Sequence, residues 1–240
     1  MNRFVNLIRY ATATPPGDVI LNIKQTCFSI IRNGDMIGLA NIVEHLRQRD
    51  HNPQIKFFIE AGAIHQTDYC RKFKAFLEIN TNYFSTIPGR ETCNAIAVSI
   101  WDYRIGVGDL VQMPNTRAKQ KKICIFPVFD APYNLYRNWS LAQTQMIIDR
   151  FSTNEYSNHQ KYFCAITQPQ LNYRDFLLSS DFMTNVEHIM TCDPYIGGDT
   201  GMTHFASILA PGPRVVYYGS SKSIRNTLPF HHPKAEMNYY

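Results

Sequence analysis

The sequence predicts an α/β fold built from two units, each with a parallel β-sheet. The main observation is that short apolar runs alternate with amphipathic runs, which is typical of strand–helix units. One polar segment, Met113 to Lys122, contains a proline and has no periodicity, and the alternation restarts after it. The hydrophobic fraction, 45% of 240 residues, is sufficient for one large domain or two small ones.

The first unit is predicted from three apolar runs and two amphipathic runs. In the second helix, the spacing turns Phe73, Phe76 and Leu77 toward a core. In chain order, the predicted elements are strand 26–32, helix 38–50, strand 54–60, helix 67–78 and strand 95–101.

The second unit repeats the same alternation after the polar segment. Its first helix opens on a capping box, because Ser140 can cap the helix and Gln143 can reach back to the backbone of Ser140. In chain order, the predicted elements are strand 123–129, helix 140–151, strand 161–167, helix 185–192, strand 195–198, helix 200–209 and strand 214–219.

We place the boundary between the units after residue 116, which gives domains 1–116 and 117–240. Ligands of parallel α/β sheets bind beyond the carboxyl ends of the strands, so we expect a site in a cleft between the units. Two predicted loops fall there: "RNGDMIG" after the first strand and "GGDTGM" near the end of the chain.

The second loop joins a strand to a helix and has the composition of an anion site. Gly197, Gly198 and Gly201 let the backbone approach an anion without a Cβ in the way. Helix N-termini attract phosphate because of their unpaired N–H groups and the helix dipole. Asp199 is unexpected beside a phosphate, and we interpret it as a cap that accepts from the N–H of Gly201 or Met202.

Hydroxyl and imidazole groups extend this loop into the following helix. Thr200 and Thr203 supply hydroxyl donors, and His204 lies one turn in, where it can donate to a phosphate oxygen. The alternative is an ordinary helix that Asp199 caps, with His204 packed against the sheet. The pattern favours neither interpretation.

Charge and cysteine spacing exclude several other classes. The net charge of +5 favours anionic partners, but the basic residues are scattered, and we interpret "RAKQKK" as a solvated linker rather than a nucleic-acid patch. Six separated cysteines without a C-x-x-C pair predict reduced thiols rather than disulfides or a zinc site. The chain has no secretory signal pattern and no apolar run of 18 residues, so we expect a cytoplasmic protein.

Three segments resemble the heptosyltransferase-like glycosyltransferases of family nine. "GGDTGMTHFASILAPGPRVVYYG" resembles the family's D-T-G-x-x-H-x-A-A signature and the strand that follows it. "RNGDMIGLANIVEHLRQR" resembles the loop and helix after the family's first strand, with Asn41 where proline is usual. "ICIFPVFDAPYNLYRNWS" resembles the start of the second domain, with Arg137 in place of lysine and Ser140 in place of proline. The chain is shorter than typical members.

The resemblance implies a GT-B fold, in which two Rossmann-like domains face each other across a cleft. Domain 1–116 would then carry the acceptor side, and domain 117–240 would bind a nucleotide-sugar donor as substrate. The implied reaction inverts the sugar carbon without a metal or a cofactor, and the sequence has no D-x-D carboxylate pair. The implied acceptor is a glycan or a lipid-linked molecule, with peripheral contact to the inner face of a membrane.

The resemblance also assigns roles to individual residues. Asp35 would be the base that takes the acceptor hydroxyl proton, although an aspartate at that place can instead cap the helix over Met36 to Ala40. The position of Asp102 after the third predicted strand, rather than the resemblance, makes it the second candidate for the base. Gly34 and Trp101 would lie with it on the acceptor side, although Trp101 can instead be a core residue. The donor and its phosphates would contact Arg137, Gly198, Asp199, Thr200, Gly201 and His204.

Three other functions compete with transfer of a sugar to a glycan or lipid-linked acceptor. A nucleotide-sugar epimerase on the same fold would need a second acid–base pair, which the sequence does not reveal. A non-catalytic module that binds nucleotides or glycans would result if the short first domain had lost its acceptor site. The only observation in favour of a nucleic-acid-modifying sugar transferase is the net positive charge, and we do not expect nucleic acid as a partner.

Overall fold

The computed structural model describes residues 20–23, 32–50, 56–59, 64, 67–85, 112–129, 135–165, 170–219 and 236–239. The chain divides into two compact units, Met1–Val111 and Gln112–Tyr240, whereas the sequence places the boundary after residue 116. The strand predicted over 95–101 lies outside the described residues. So does the strand predicted over 26–32, except for Arg32, which precedes a helix.

The described residues of unit 1 include three parallel strands in the order β1-β2-β3 and two helices. The first helix begins at Asn33, earlier than the predicted start at residue 38. The second agrees with the prediction: Thr67 caps it by accepting from the backbone N–H of Cys70 at 3.3 Å, and Phe73, Phe76 and Leu77 are buried. The elements are β1 Ile20–Ile23, α1 Asn33–Asp50, β2 Lys56–Ile59, α2 Asp68–Asn80 and β3 Phe84–Ser85.

Unit 2 contains the predicted strands and helices together with several short strands that the sequence did not predict. The capping box is present as expected, because Ser140 Oγ accepts from the N–H of Gln143 and the Gln143 side chain accepts from the N–H of Ser140. The elements are β4 Met113–Pro114, β5 Lys122–Phe126, α3 Leu141–Phe151, β6 Gln160–Phe163, β7 Leu177–Leu178, α4 Phe182–Thr191, β8 Tyr195–Gly197, α5 Gly201–Ile208, β9 Leu209–Ala210, β10 Val215–Gly219 and β11 Glu236–Tyr239.

The main sheet of unit 2 is parallel throughout and has the strand order β7-β6-β5-β8-β10-β11. Counted along the chain, these strands lie in the order 3-2-1-4-5-6, which is that of the dinucleotide-binding Rossmann fold. The α/β class with parallel sheets is therefore confirmed. The order reverses between β5 and β8, where chain connections leave in opposite directions.

Both faces of this sheet are covered, which explains why its strands are apolar without alternation. All five residues of β5 are buried. Ile123 and Ile125 belong to the core cluster that also contains Ile147, Ile148 and Phe151 of α3. The residues between them, such as Cys124, point to the other face and are equally inaccessible.

The segment predicted to be a linker is part of unit 2. Met113–Pro114 pairs with Leu209–Ala210 in a two-stranded parallel sheet. Asn115 is buried, and its side-chain amide donates to the carbonyls of Met190 at 2.8 Å and Pro211 at 3.1 Å. The prediction was wrong because a polar, aperiodic sequence can also serve to satisfy buried backbone groups of another element.

That element is the C-terminal end of α4, whose last carbonyls have no partner within the helix. The side-chain amine of Lys119 also donates to Met190 O at 3.4 Å, and the backbone N–H of Gln120 donates to Thr191 O at 2.9 Å. Positive charge near a helix C-terminus is further stabilised by the helix dipole. The segment therefore acts as a cap for α4 supplied from elsewhere in the chain.

His188 of α4 lies in a positively charged, mostly buried environment near this end. Its ring stacks on Tyr162 with 3.7 Å between ring centroids. Lys122 Nζ lies 5.6 Å from the same tyrosine ring and donates to Thr191 Oγ1 at 2.8 Å. Burial, with a smaller contribution from the charge of Lys122, lowers the pKa of His188 to about 4.

No helix among the described residues is long and apolar enough to cross a membrane.

Replacing Asn115 tests whether the segment stabilises unit 2. Asn115→Ala leaves the carbonyls of Met190 and Pro211 without this donor, so we expect the free energy of unfolding to fall by about 1–3 kcal/mol in urea denaturation. Thr116→Ala is the matched control, because Thr116 is exposed and adjacent, and it should change stability by less than about 0.5 kcal/mol. Equal effects of the two substitutions would contradict the capping role.

The pKa of His188 predicts a specific acid sensitivity. Because the pKa falls from the ordinary 6.5 to about 4 on folding, the unfolded chain binds more protons between these values. Above pH 6.5, His188 is neutral in both states and does not lower the free energy of unfolding. As the pH falls from 6.5 toward 4, protonation of the unfolded chain lowers the free energy of unfolding by about 2 kcal/mol. The measurement is urea unfolding at several pH values. His188→Gln should reduce the dependence of the free energy of unfolding on pH between 4 and 6.5. An unchanged dependence would show that other groups cause it.

Candidate functional site

The candidate site lies at the carboxyl end of the unit 2 sheet, where the strand order reverses between β5 and β8. Ligands of open α/β sheets bind in the crevice at such a reversal. The loop after β5 leads to a short 3-10 turn, Leu135–Arg137, and the loop after β8 leads through Gly198, Asp199 and Thr200 into α5. The two sequence segments predicted to hold donor phosphates therefore meet here.

An ion pair joins these two loops. Arg137 Nε lies 3.0 Å from Asp199 Oδ2, and Arg137 Nη2 donates a hydrogen bond to the backbone carbonyl of Asp199. The aspartate side chain is 4% exposed, whereas the arginine side chain is 24% exposed. The carboxylate is thus inside the protein and part of the guanidinium is at the surface.

His204 lies on the other side of the same carboxylate. Its Nε2 is 3.9 Å from Asp199 Oδ1, which is beyond hydrogen-bond distance, and both side chains are buried. The backbone N–H of His204 donates to Thr200 O at 3.2 Å, which fixes the residue in the first turn of α5. Asp199 therefore stands between a guanidinium and an imidazole.

Thr200 is the N-cap residue of α5. The Thr200 hydroxyl accepts from the backbone N–H of Thr203 at 3.3 Å, and Thr200 has extended backbone geometry before the helix begins at Gly201. The sequence did not reveal that Asp199 pairs with Arg137, which comes from a distant part of the chain and offers the carboxylate a charged partner. The expected contact of Asp199 with the N–H of Gly201 or Met202 stays a prediction.

A chain of buried hydroxyl groups holds the turn before α5. Tyr195 Oη and Thr203 Oγ1 are 3.0 Å apart, and Thr203 Oγ1 donates to the carbonyl of Gly198 at 2.5 Å. Burial raises the pKa of Tyr195 well above its ordinary value, so the phenol stays protonated and can donate. The role of Tyr195 in this turn was not predicted, and no local sequence pattern reveals it, because its partner Thr203 lies across the turn.

Gly198 is required because the loop after β5 packs against it. A Cβ on Gly198 would lie 2.5 Å from Val128 Cγ2 and 2.9 Å from Trp139 Nε1. Trp139 is itself held in place, since its N–H donates to Val128 O at 2.7 Å and its indole donates to Tyr218 O at 3.1 Å. The missing side chain thus lets the two loops of the site approach each other.

The predicted acceptor-side residues fall in unit 1 or outside the described residues. Asp35 lies in the first turn of α1, and its Oδ2 accepts from the backbone N–H of Arg32 at 3.0 Å. This is a capping contact whose donor lies just before the helix. Gly34 is in the same turn. Trp101 and Asp102 lie outside the described residues.

Across the residues that the structure describes, no group of three or more His, Cys, Asp or Glu side chains can hold a metal ion. The donor groups at the unit 2 site are of kinds that attract anions. A partly exposed guanidinium lies beside the N-terminus of the eight-residue helix α5, and both attract phosphate oxygens.

No family model and no curated protein matches the chain. One solved structure that is similar to it is a glycosyl transferase family 9 protein from Veillonella parvula DSM 2008, with 11% sequence identity over 95% of this chain and 87% of that chain and a TM-score of 0.49.

Adding one methyl group at Gly198 tests the packing of the two loops. Gly198→Ala places a Cβ against Val128 and Trp139, so at least one loop has to shift. We expect unfolding in urea to require about 1–3 kcal/mol less free energy. Ser180→Ala, at an exposed position of the same unit, serves as control. Wild-type stability of Gly198→Ala would mean that the loops are not packed as described.

Proposed function

We propose that this chain is a glycosyltransferase whose second unit holds the diphosphate of a nucleotide-sugar donor between Arg137 and the N-terminus of α5. The observation that carries the proposal is the position of the Arg137–Asp199 pair. It lies at the strand-order reversal of a Rossmann-type sheet, within the segment that resembles the D-T-G-x-x-H signature.

The proposed reaction is a single displacement. The acceptor hydroxyl attacks the anomeric carbon, the bond from that carbon to the diphosphate breaks, and the sugar carbon is inverted. Negative charge develops on the departing diphosphate, and Arg137 together with the N-terminus of α5 would stabilise it without a metal. The acceptor would be a glycan or a lipid-linked molecule.

Asp35 is the proposed base of this reaction. A carboxylate can take the hydroxyl proton as the new bond forms. Its Oδ2 accepts from the backbone N–H of Arg32, and an ionised carboxylate can accept several hydrogen bonds at once. The same contact favours a second candidate function, a non-catalytic nucleotide-binding module in which Asp35 serves only as a helix cap.

Ligand binding and donor hydrolysis test the proposal together. A nucleoside diphosphate at 100 times its dissociation constant should raise the free energy of unfolding by about 2.7 kcal/mol, which a thermal-shift screen detects. Slow release of sugar from the matching nucleotide sugar, in the presence of a metal chelator, is expected of a transferase. Binding without release would favour the non-catalytic module. The absence of any nucleotide binding would overturn the proposal.

Asp35→Asn distinguishes a role of Asp35 as catalytic base from a role as helix cap. The amide retains the size of the side chain and an oxygen that accepts from Arg32, but it cannot take a proton. We expect normal folding and nucleotide affinity with turnover reduced by about 10²–10⁴. Asn33→Asp, at a neighbouring position of the same turn, controls for altered charge near the helix start. More than about a tenth of wild-type turnover in Asp35→Asn would exclude the base role.

A further inference from the structure

We propose that Asp199 is a positioning residue for Arg137: it holds one edge of the guanidinium and thereby leaves the other edge for the phosphoryl oxygens of the ligand. The inference rests on the proposed function, because it concerns the same anion site. It gives a role to the one carboxylate whose presence beside a phosphate is unexpected from the sequence.

The argument begins with the shape of the guanidinium, which carries five N–H donors in one plane. Nε and Nη2 lie along one edge of that plane. Asp199 contacts this edge twice: its carboxylate Oδ2 lies 3.0 Å from Nε as the partner of an ion pair, and its backbone carbonyl accepts the hydrogen bond from Nη2. Since both oxygens come from one residue, the plane and the direction of the guanidinium are fixed relative to the turn before α5.

The remaining donors lie on the terminal edge, on Nη1 and on the second N–H of Nη2. No described residue accepts from Nη1, and the arginine side chain keeps 24% of its surface exposed. Two parallel N–H groups at this edge match two oxygens of one phosphoryl group, which is the bidentate geometry that arginine provides. A fixed guanidinium also loses less side-chain entropy when the ligand binds.

Burial explains why the carboxylate does not repel the ligand. Asp199 is almost inaccessible, whereas Arg137 is partly exposed, so the positive group lies on the outside of the pair. A diphosphate at the surface would meet the guanidinium first. Lysine would be a poor substitute for the arginine, because a single ammonium cannot hold the same two-oxygen edge and present a separate planar fork to a phosphate.

A double-mutant cycle with inorganic pyrophosphate tests the proposal on the full chain. Isothermal titration calorimetry would compare wild type, Asp199→Asn, Arg137→Lys and the double variant. We expect Asp199→Asn to weaken pyrophosphate binding about tenfold when Arg137 is present, and by less than about threefold in the Arg137→Lys background. An equal weakening in both backgrounds, or none in either, would overturn the positioning role.

A second comparison avoids any substitution of the buried carboxylate. Arg137→Lys retains the positive charge, and Arg137→Gln removes it. If the oriented planar guanidinium determines affinity, the pyrophosphate dissociation constants of the two variants should lie within about threefold of each other. Both variants should bind clearly more weakly than wild type. Wild-type affinity in Arg137→Lys would overturn the proposal. Arg117→Lys is the matched control, because Arg117 forms an exposed pair with Glu187 in the same unit.

Failure of this inference can be distinguished from failure of the proposed function. If wild type does not bind pyrophosphate or any nucleoside diphosphate, the proposed function is wrong and the positioning role falls with it. If wild type binds pyrophosphate and the two comparisons show no dependence on Asp199 or on the arginine fork, only the positioning role is wrong.

Discussion

The reversal of strand order between β5 and β8 is the constraint on which the rest of unit 2 depends. It brings the loop after β5 beside the loop after β8, so that Arg137 contacts Asp199, from which it is separated by 62 positions in the sequence. The close approach at Gly198 and the two hydrogen bonds of Trp139 then fix both loops. With a different strand order, the guanidinium and the carboxylate would lie apart and the site would not form.

The two ends of the same sheet use positive charge differently. At the amino end, the charged groups of Lys119 and Lys122 donate to the last turn of α4, where the helix dipole and carbonyl oxygens already supply negative charge. At the carboxyl end, Arg137 keeps one edge of its guanidinium exposed. This difference in remaining hydrogen-bonding capacity is why anion binding is proposed for the carboxyl end.

Elements with a local signal were predictable from the sequence. The capping box at Ser140 and the helix that follows depend on contacts within one turn, and the apolar face of α2 depends on spacing alone. The short strands β4 and β9 carry no such signal, because two-residue strands have no period. β11 was also missed, since it forms through pairing with β10 and through the ion pair between Arg150 and Glu236.

The sequence by itself determined that the chain is α/β with parallel sheets, that a glycine-rich turn precedes α5, and which residue types surround it. Only the tertiary structure decided that Asp199 pairs with Arg137, that Thr200 is the N-cap of α5, and that residues 113–122 close the end of α4. The physical reason is range. Helix periodicity and caps act over three or four residues and are visible in the sequence, whereas ion pairs and capping from distant segments depend on strand order, which no local pattern encodes.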